Sequence, residues 1–217
     1  MSREKTSRPF DALVWAGLFL VIATVVVAFI ANRAKRAQPP PPVYGQVTEF
    51  TLTNQNHQPV TAGSLLGQVW VADIIFSRCA GPCPEMTRKM GELQSALPAT
   101  LPVRFVTLTT DPGYDSPDVL RRYGEKFGAD PGRWLFLTGA EGQIYKLAVE
   151  QLKLTAIEKK PEERESAADL FIHSTIFVVV DRKGQLRGVF ESTGEGVDWT
   201  QVKQELLAMV ERLSRNR

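Results

Sequence analysis

The chain has 217 residues, 43% hydrophobic and 23% charged, with 14 prolines and only two cysteines. That composition supports one packed domain with accessories and excludes a wholly disordered chain or a disulfide-stapled miniprotein. Two cysteines also exclude a self-contained tetracysteine zinc site and a cysteine-ligated iron–sulfur cluster.

The net charge of +2 is unevenly placed. Residues 1–36 hold six basic residues (Arg3, Lys5, Arg8, Arg33, Lys35, Arg36) against Glu4 and Asp11, a net +4, so the remainder carries a net −2. A domain of that charge lacks the basic face that nucleic-acid binding requires. The basic residues instead flank an apolar run. From Ala12 to Ala31 there is no charge over 20 residues, and at about 1.5 Å rise per residue such a helix covers the roughly 30 Å hydrocarbon core of a bilayer. The run is longer than the apolar part of a cleaved signal peptide, and no small-x-small cleavage site follows it, so it reads as a retained anchor. Lys and Arg number three on each side, which leaves the orientation of the span open. Pro39, Pro40, Pro41 and Pro42 then make a semi-rigid polyproline spacer. The expected organisation is a tail (1–11), a transmembrane anchor (12–31), a basic and Pro-rich linker (32–43) and a domain from Tyr44 to the end.

Within that domain, short β-rich runs alternate with amphipathic ones: VWVADIIF (Val69 to Phe76), a helix after Pro84, VRFVTLTT (Val103 to Thr110), a helix after Ser116, and WLFLT (Trp134 to Thr138). This order predicts parallel strands joined by helical crossovers. STIFVVVD and QLRGVFE flank Arg182, Lys183 and Gly184 and predict an antiparallel hairpin, and a helix from Trp199 to Leu213 closes the chain. The expected fold is α/β, a thioredoxin-like mixed sheet with flanking helices, preceded by one transmembrane helix. Glu158 to Glu165, EKKPEERE, has no apolar face and reads as a solvated loop.

The chemistry concentrates after the first long strand, in Ser77-Arg78-Cys79-Ala80-Gly81-Pro82-Cys83-Pro84. Ligand sites of open α/β sheets lie at the carboxyl ends of strands. Gly81 and Pro82 suit a tight turn, and Pro84 is tolerated in a first helical turn. Two sulfurs four residues apart across such a turn can converge on one ion or approach disulfide distance. The helix dipole and Arg78 are expected to favour the thiolate. Thiolates suit copper(I) or zinc, and a third ligand is expected from one of the two histidines. His173, just before a strand, is the expected ligand; His57, in the polar turn TNQNHQPV, reads as a surface residue. Three ligands fit low-coordinate copper(I) in transit better than structural zinc, which usually has four. The alternative that Cys79 and Cys83 are merely small buried apolar groups conflicts with their spacing and strand-to-helix location. Met86 and Met90 continue into Leu93 and Leu97 at helical spacing and read as core.

From about Val47 onward the chain resembles the Sco/SenC family of membrane-anchored copper proteins. The resemblance is carried, in order, by FSRCAGPCPEMT, TDPGYDSPDVLRRYGEKFGADPGRWLFLTG and IHSTIFVVVDRKGQLRG. It implies a thioredoxin-like fold, an N-in single-pass anchor with the domain outside the cytoplasmic membrane, and copper held by Cys79, Cys83 and His173. It also implies a role in maturing the copper site of a respiratory cytochrome oxidase, with the copper-site subunit as recipient and a copper donor protein or thiol reductant upstream. Such a metallochaperone is not a catalyst in the usual sense. The alternative is a thiol–disulfide oxidoreductase acting on the cysteines of the apo-oxidase subunit, with Cys79 attacking and Cys83 resolving. Peroxide reduction is disfavoured, because the Pro and Thr that peroxiredoxins place around their reactive cysteine are missing. Two positions depart from the family pattern: Ala80 stands where Pro usually follows the first cysteine, and Ile172 where Asp often precedes the ligand His. The second removes a carboxylate that could orient the site. Asp111 and Asp115 match the family's acidic loop, where they either cap the following helix or form a plain Asx turn.

Overall fold

The computed structural model describes residues 9–36, 41–154, 156–158, 171–173 and 175–215. The chain divides into two units, one ending at Pro41 and the other beginning at Pro42. In the first, α1 (Pro9–Arg36) is one uninterrupted helix. Its segment Ala12–Arg33 is long and apolar enough to cross a membrane. Leu13, Trp15, Phe19 and Phe29 are all exposed. A helix apolar on every side suits lipid rather than water.

The second unit is built on an eight-stranded mixed sheet. Its strands are β1 (Gly45–Gln46), β2 (Thr51–Asn54), β3 (Pro59–Thr61), β4 (Val69–Ile75), β5 (Val103–Thr109), β6 (Trp134–Thr138), β9 (Ile176–Val180) and β10 (Gln185–Glu191), ordered β1-β10-β9-β4-β5-β6-β2-β3. A separate two-stranded sheet pairs β7 (Ala156–Glu158) with β8 (Phe171–His173). The helices are α2 (Ala62–Leu65), α3 (Cys83–Ala96), α4 (Pro117–Lys126), α5 (Glu141–Tyr145), which runs into a π-helical turn (Lys146–Gln151), and α6 (Trp199–Arg215). The expected architecture is present: β4, β5 and β6 are parallel, with α3 and α4 as crossovers, and β9–β10 is the antiparallel hairpin.

Every residue of β4 is buried, which is why its sequence lacks the polar alternation of a half-exposed strand. On one face, Val69, Val71, Phe105, Trp134 and Phe136 pack against Met86 and Met90 of α3, Leu120 of α4 and Leu206 and Val210 of α6. On the other, Trp70, Ala72, Ile74 and Val106 meet Leu65, Ile144, Leu147 and Ala148. Met86 and Met90 are fully buried in the first cluster, as their spacing predicts. The β2–β3 hairpin, the two-residue β1 and the π turn go beyond the sequence-based expectation, because such short elements carry too little periodicity. Of the stretch Glu158 to Glu165, Glu158 ends β7 and the remainder lies outside the described residues.

The sheet's polarity brings the relevant loops together. Ile75 and Thr109, the last residues of β4 and β5, are partners in the parallel register. β9 runs antiparallel to β4, with Val71 opposite Val179 and Ala72 opposite Val178, so the start of β9 lies toward the carboxyl end of β4. One sheet edge therefore gathers the β4–α3 loop, the β5–α4 loop and the chain entering β9.

Candidate metal centre

Cys79 lies in the loop after β4 and is half-buried, whereas Cys83 is the first residue of α3 and fully buried. The two are thiols, hydrogen-bonded to each other. The Gly81 amide donates to the Cys79 sulfur at 3.3 Å, and the Cys79 amide donates to the Phe76 carbonyl at 3.1 Å, closing a turn. Cys83 packs with Ile75 and Phe76 in a small cluster that Cys79 and Tyr123 border. Thr87 donates to the Cys83 carbonyl at 2.9 Å and meets the Tyr123 hydroxyl at 2.8 Å. The thiol that opens α3 is thus fully buried, while its partner in the preceding loop is half-buried.

At Cys83 the electrostatics differ from the expected thiolate stabilisation. The hydrogen bond with Cys79, then burial, then the charge of Cys79 push the Cys83 thiol up, opposed by a backbone hydrogen bond at Phe76. Arg78 is engaged elsewhere: its guanidinium donates to Asp111 at 2.5 Å and stacks over the Tyr114 ring, 4.2 Å from the centroid. Its hydrogen bond to Asp111 raises its pKa. The buried member of the pair is therefore held as a neutral thiol until a soft ion or a disulfide takes up its sulfur.

Two carboxylates shape the surroundings. Asp115 is fully buried and accepts the Ser77 amide at 3.1 Å, the Ser77 hydroxyl, and the Thr109 hydroxyl at 2.5 Å. Burial raises its pKa despite those three donors. Neither Asp111 nor Asp115 caps α4; Ser116 does, accepting the Val119 amide at 3.4 Å. Both aspartates face the cysteine loop instead, because the parallel pairing of β4 and β5 sets the two loops side by side. Asp73, within β4, is fully buried, and neither carboxylate oxygen has a hydrogen-bond partner among the described residues. Burial raises its pKa to about 7. The Thr107 hydroxyl, opposite Asp73 in register, opposes that shift without completing a hydrogen bond, and Trp134 Nε1 donates to it at 2.9 Å. The sequence signal for Asp73 is a lone acid inside the apolar run VWVADIIF, six positions before Cys79.

His57 lies in the β2–β3 turn, exposed, with Nε2 3.3 Å from Asp118. The backbone of His173 ends β8, opposite Ala156; its side chain lies outside the described residues. Among the described residues, no three His, Cys, Asp or Glu side chains form a metal-sized group. Paired cysteine sulfurs are soft donors of the kind that suits copper(I).

A thioredoxin-type α/β domain with two thiols between its central strand and the following helix belongs to the class that exchanges disulfides or handles soft metal ions. Comparison with known proteins narrows this. The SCO1/SenC family model matches residues 40–208, and the chain belongs to that family. A SCO1 protein homolog of Bacillus subtilis is 36% identical over 147 residues, 67% of this chain and 73% of that protein. The solved structure of BsSco, a member of the Sco family of cytochrome c oxidase assembly proteins in which a disulfide switch was identified, is 31% identical. It matches with a TM-score of 0.68, covering 83% of this chain and 100% of that one. Bradyrhizobium japonicum ScoI, solved with copper bound, shares the fold at 22% identity and a TM-score of 0.56, over 76% of this chain and 98% of that one.

Proposed function

We propose that this chain is a membrane-tethered copper metallochaperone. Residues 12–31 span the cytoplasmic membrane once, residues 32–43 act as spacer, and residues 44–217 form the copper-handling domain on the extracytoplasmic side. Cys79, Cys83 and His173 hold copper(I), which passes to the copper site of a respiratory cytochrome oxidase subunit by stepwise exchange with the recipient's thiolates. The carrying observation is the asymmetric thiol pair at the start of α3, with Cys79 half-buried and Cys83 sealed. It is supported by membership of a family whose relatives include a copper-bound ScoI and an oxidase assembly protein. The antiparallel run of β9 beside β4 supports His173 as third ligand, since it turns the chain entering β9 toward the cysteine edge.

The same asymmetry favours a second reading, reduction of a disulfide in the apo-oxidase subunit. The Cys79 thiolate attacks one substrate sulfur and forms a mixed disulfide; the Cys83 thiolate then attacks Cys79. This releases the substrate as a dithiol and leaves a Cys79–Cys83 disulfide, which an external thiol reductant resets. Both readings use the two sulfurs; only copper binding uses His173.

The test is copper(I) titration of the reduced full-length chain in detergent under inert gas, comparing wild type with His173→Ala and measuring disulfide exchange in parallel. Loss of stoichiometric copper with exchange intact supports the metallochaperone. Equal copper in both proteins removes His173 from the mechanism.

A further inference from the structure

The β9–β10 hairpin is clamped at its open end, where the chain arrives from His173. The ladder's last partners are Glu191 and Ile176. Beyond them Ser192, fully buried, donates twice to the Thr175 carbonyl, through its amide at 2.7 Å and its hydroxyl at 2.5 Å. Thr175 in turn donates its hydroxyl to the Thr193 carbonyl at 3.2 Å. Thr175 stands two positions after His173.

The other side of Ser192 is tied to the cysteine helix. Its carbonyl accepts Lys89 Nζ at 2.7 Å, and that largely buried ammonium also pairs with Glu85 at 2.7 Å and lies 5.2 Å from the centre of the Trp199 ring. Lys89 is on α3, whose first residue is Cys83. A charged donor to a backbone carbonyl is among the stronger hydrogen bonds, and two donors converging on one carbonyl fix its direction. A continuous set of bonds therefore runs from the cysteine helix through Lys89 and Ser192 to Thr175.

We propose that Lys89 and Ser192 are positioning residues for the third metal ligand: they fix the point where the chain carrying His173 joins the sheet relative to the helix that begins with Cys83. This rests on the reading of His173 as a ligand. The distance and direction of the imidazole from the two sulfurs then depend on a latch that never touches the ion, and losing such outer support typically lowers metal affinity by about 10-fold or more.

The experiment compares copper(I) affinity of the reduced full-length chain in detergent for wild type, Ser192→Ala, His173→Ala and the double variant, by competition with a copper(I) chelator. X-ray absorption reads the imidazole signal, and disulfide exchange through Cys79 reads the thiol pair. Ser192→Ala is expected to weaken copper(I) binding by about 10-fold, to diminish the imidazole signal, and to leave disulfide exchange unchanged. The double variant is expected to bind no more weakly than His173→Ala alone, and Ser192→Thr, which keeps the hydroxyl, to restore affinity. In the metal-free chain, Lys89→Met is expected to speed amide exchange at Ser192; this variant also gives the same copper comparison if Ser192→Ala does not fold. Wild-type affinity in the latch variants, or additive losses in the double variant, overturns the positioning role while leaving His173 a ligand. Wild-type affinity in His173→Ala overturns the ligand reading and this inference with it.

Discussion

Ser77 presents both its amide and its hydroxyl to the carboxylate of Asp115, which lies across the sheet edge on the β5–α4 loop. Two positions before Cys79, the cysteine loop is thereby fastened to the neighbouring strand's loop, and Thr109 adds a third donor at 2.5 Å. Asp115→Ala leaves three donors without their acceptor. At about 1–3 kcal/mol for each buried group left unsatisfied, less what water recovers, the loss is expected to be about 3 kcal/mol. Chemical denaturation of the metal-free chain measures it, and Asp115→Asn, which keeps one acceptor oxygen, should lose less.

Asp73 makes stability depend on pH in the opposite sense to a salt-bridged acid. Its folded pKa of about 7 lies above the ordinary 3.8, so the folded state holds the proton more tightly than the unfolded one. Stability from this group is complete below pH 4 and declines as pH rises toward 7. At about 1.4 kcal/mol per pKa unit, the decline is of the order of 4 kcal/mol. Asp73→Asn should flatten that slope and be the more stable protein at pH 8, read from denaturation midpoints across the range. A slope unchanged by the substitution would remove Asp73 as its source.

The two thiols should differ in access. Cys79 is half-buried and Cys83 fully buried, so a neutral alkylating agent should modify Cys79 first in the folded, reduced chain. Peptide mass spectrometry reads the order, and equal labelling under native conditions would contradict the sealed position of Cys83.

Met90 serves packing. It is fully buried between α3 and the sheet, and Met90→Ala should cost about 2–5 kcal/mol while leaving copper stoichiometry unchanged. A stoichiometric loss of copper in a variant that remains folded would make it a ligand instead.

Gly124 lets α4 lie close against Phe136 of the sheet. A Cβ at that position would stand 2.8 Å from Phe136 Cε2, and that ring stacks on Trp134 with centroids 5.2 Å apart. The pair cannot yield cheaply, so Gly124→Ala should destabilise by about 1–3 kcal/mol despite alanine's better helix propensity. Thermal denaturation measures the net sign.

Several features were legible in the chain itself because they depend on neighbours in sequence. The length and apolarity of 12–31 describe a helix long and apolar enough to cross a membrane without reference to any other residue. The run VWVADIIF, the hairpin around Gly184 and the stripe Met86, Met90, Leu93 follow from local periodicity. Cys79 and Cys83 lie in one turn, so their spacing alone brings them near each other. The side chain of His173 lies outside the described residues, and its place among the ligands remains the expectation that the copper titration tests.

The amino-acid order by itself determined an N-terminal helix long and apolar enough to cross a membrane, the alternation of strands and helices and the location of the thiol pair, since each is written over a few consecutive residues. Tertiary structure alone decided what those thiols sit among. The acids that the order of residues left between a helix cap and a plain turn hold the cysteine loop, with Asp115 reaching Ser77 across 38 positions, and Lys89 reaches Ser192 across 103. Such bonds form because sheet pairing brings together segments that no periodicity relates. A charge such as Asp73 acquires its altered proton affinity only once the strands on both sides have shut out water.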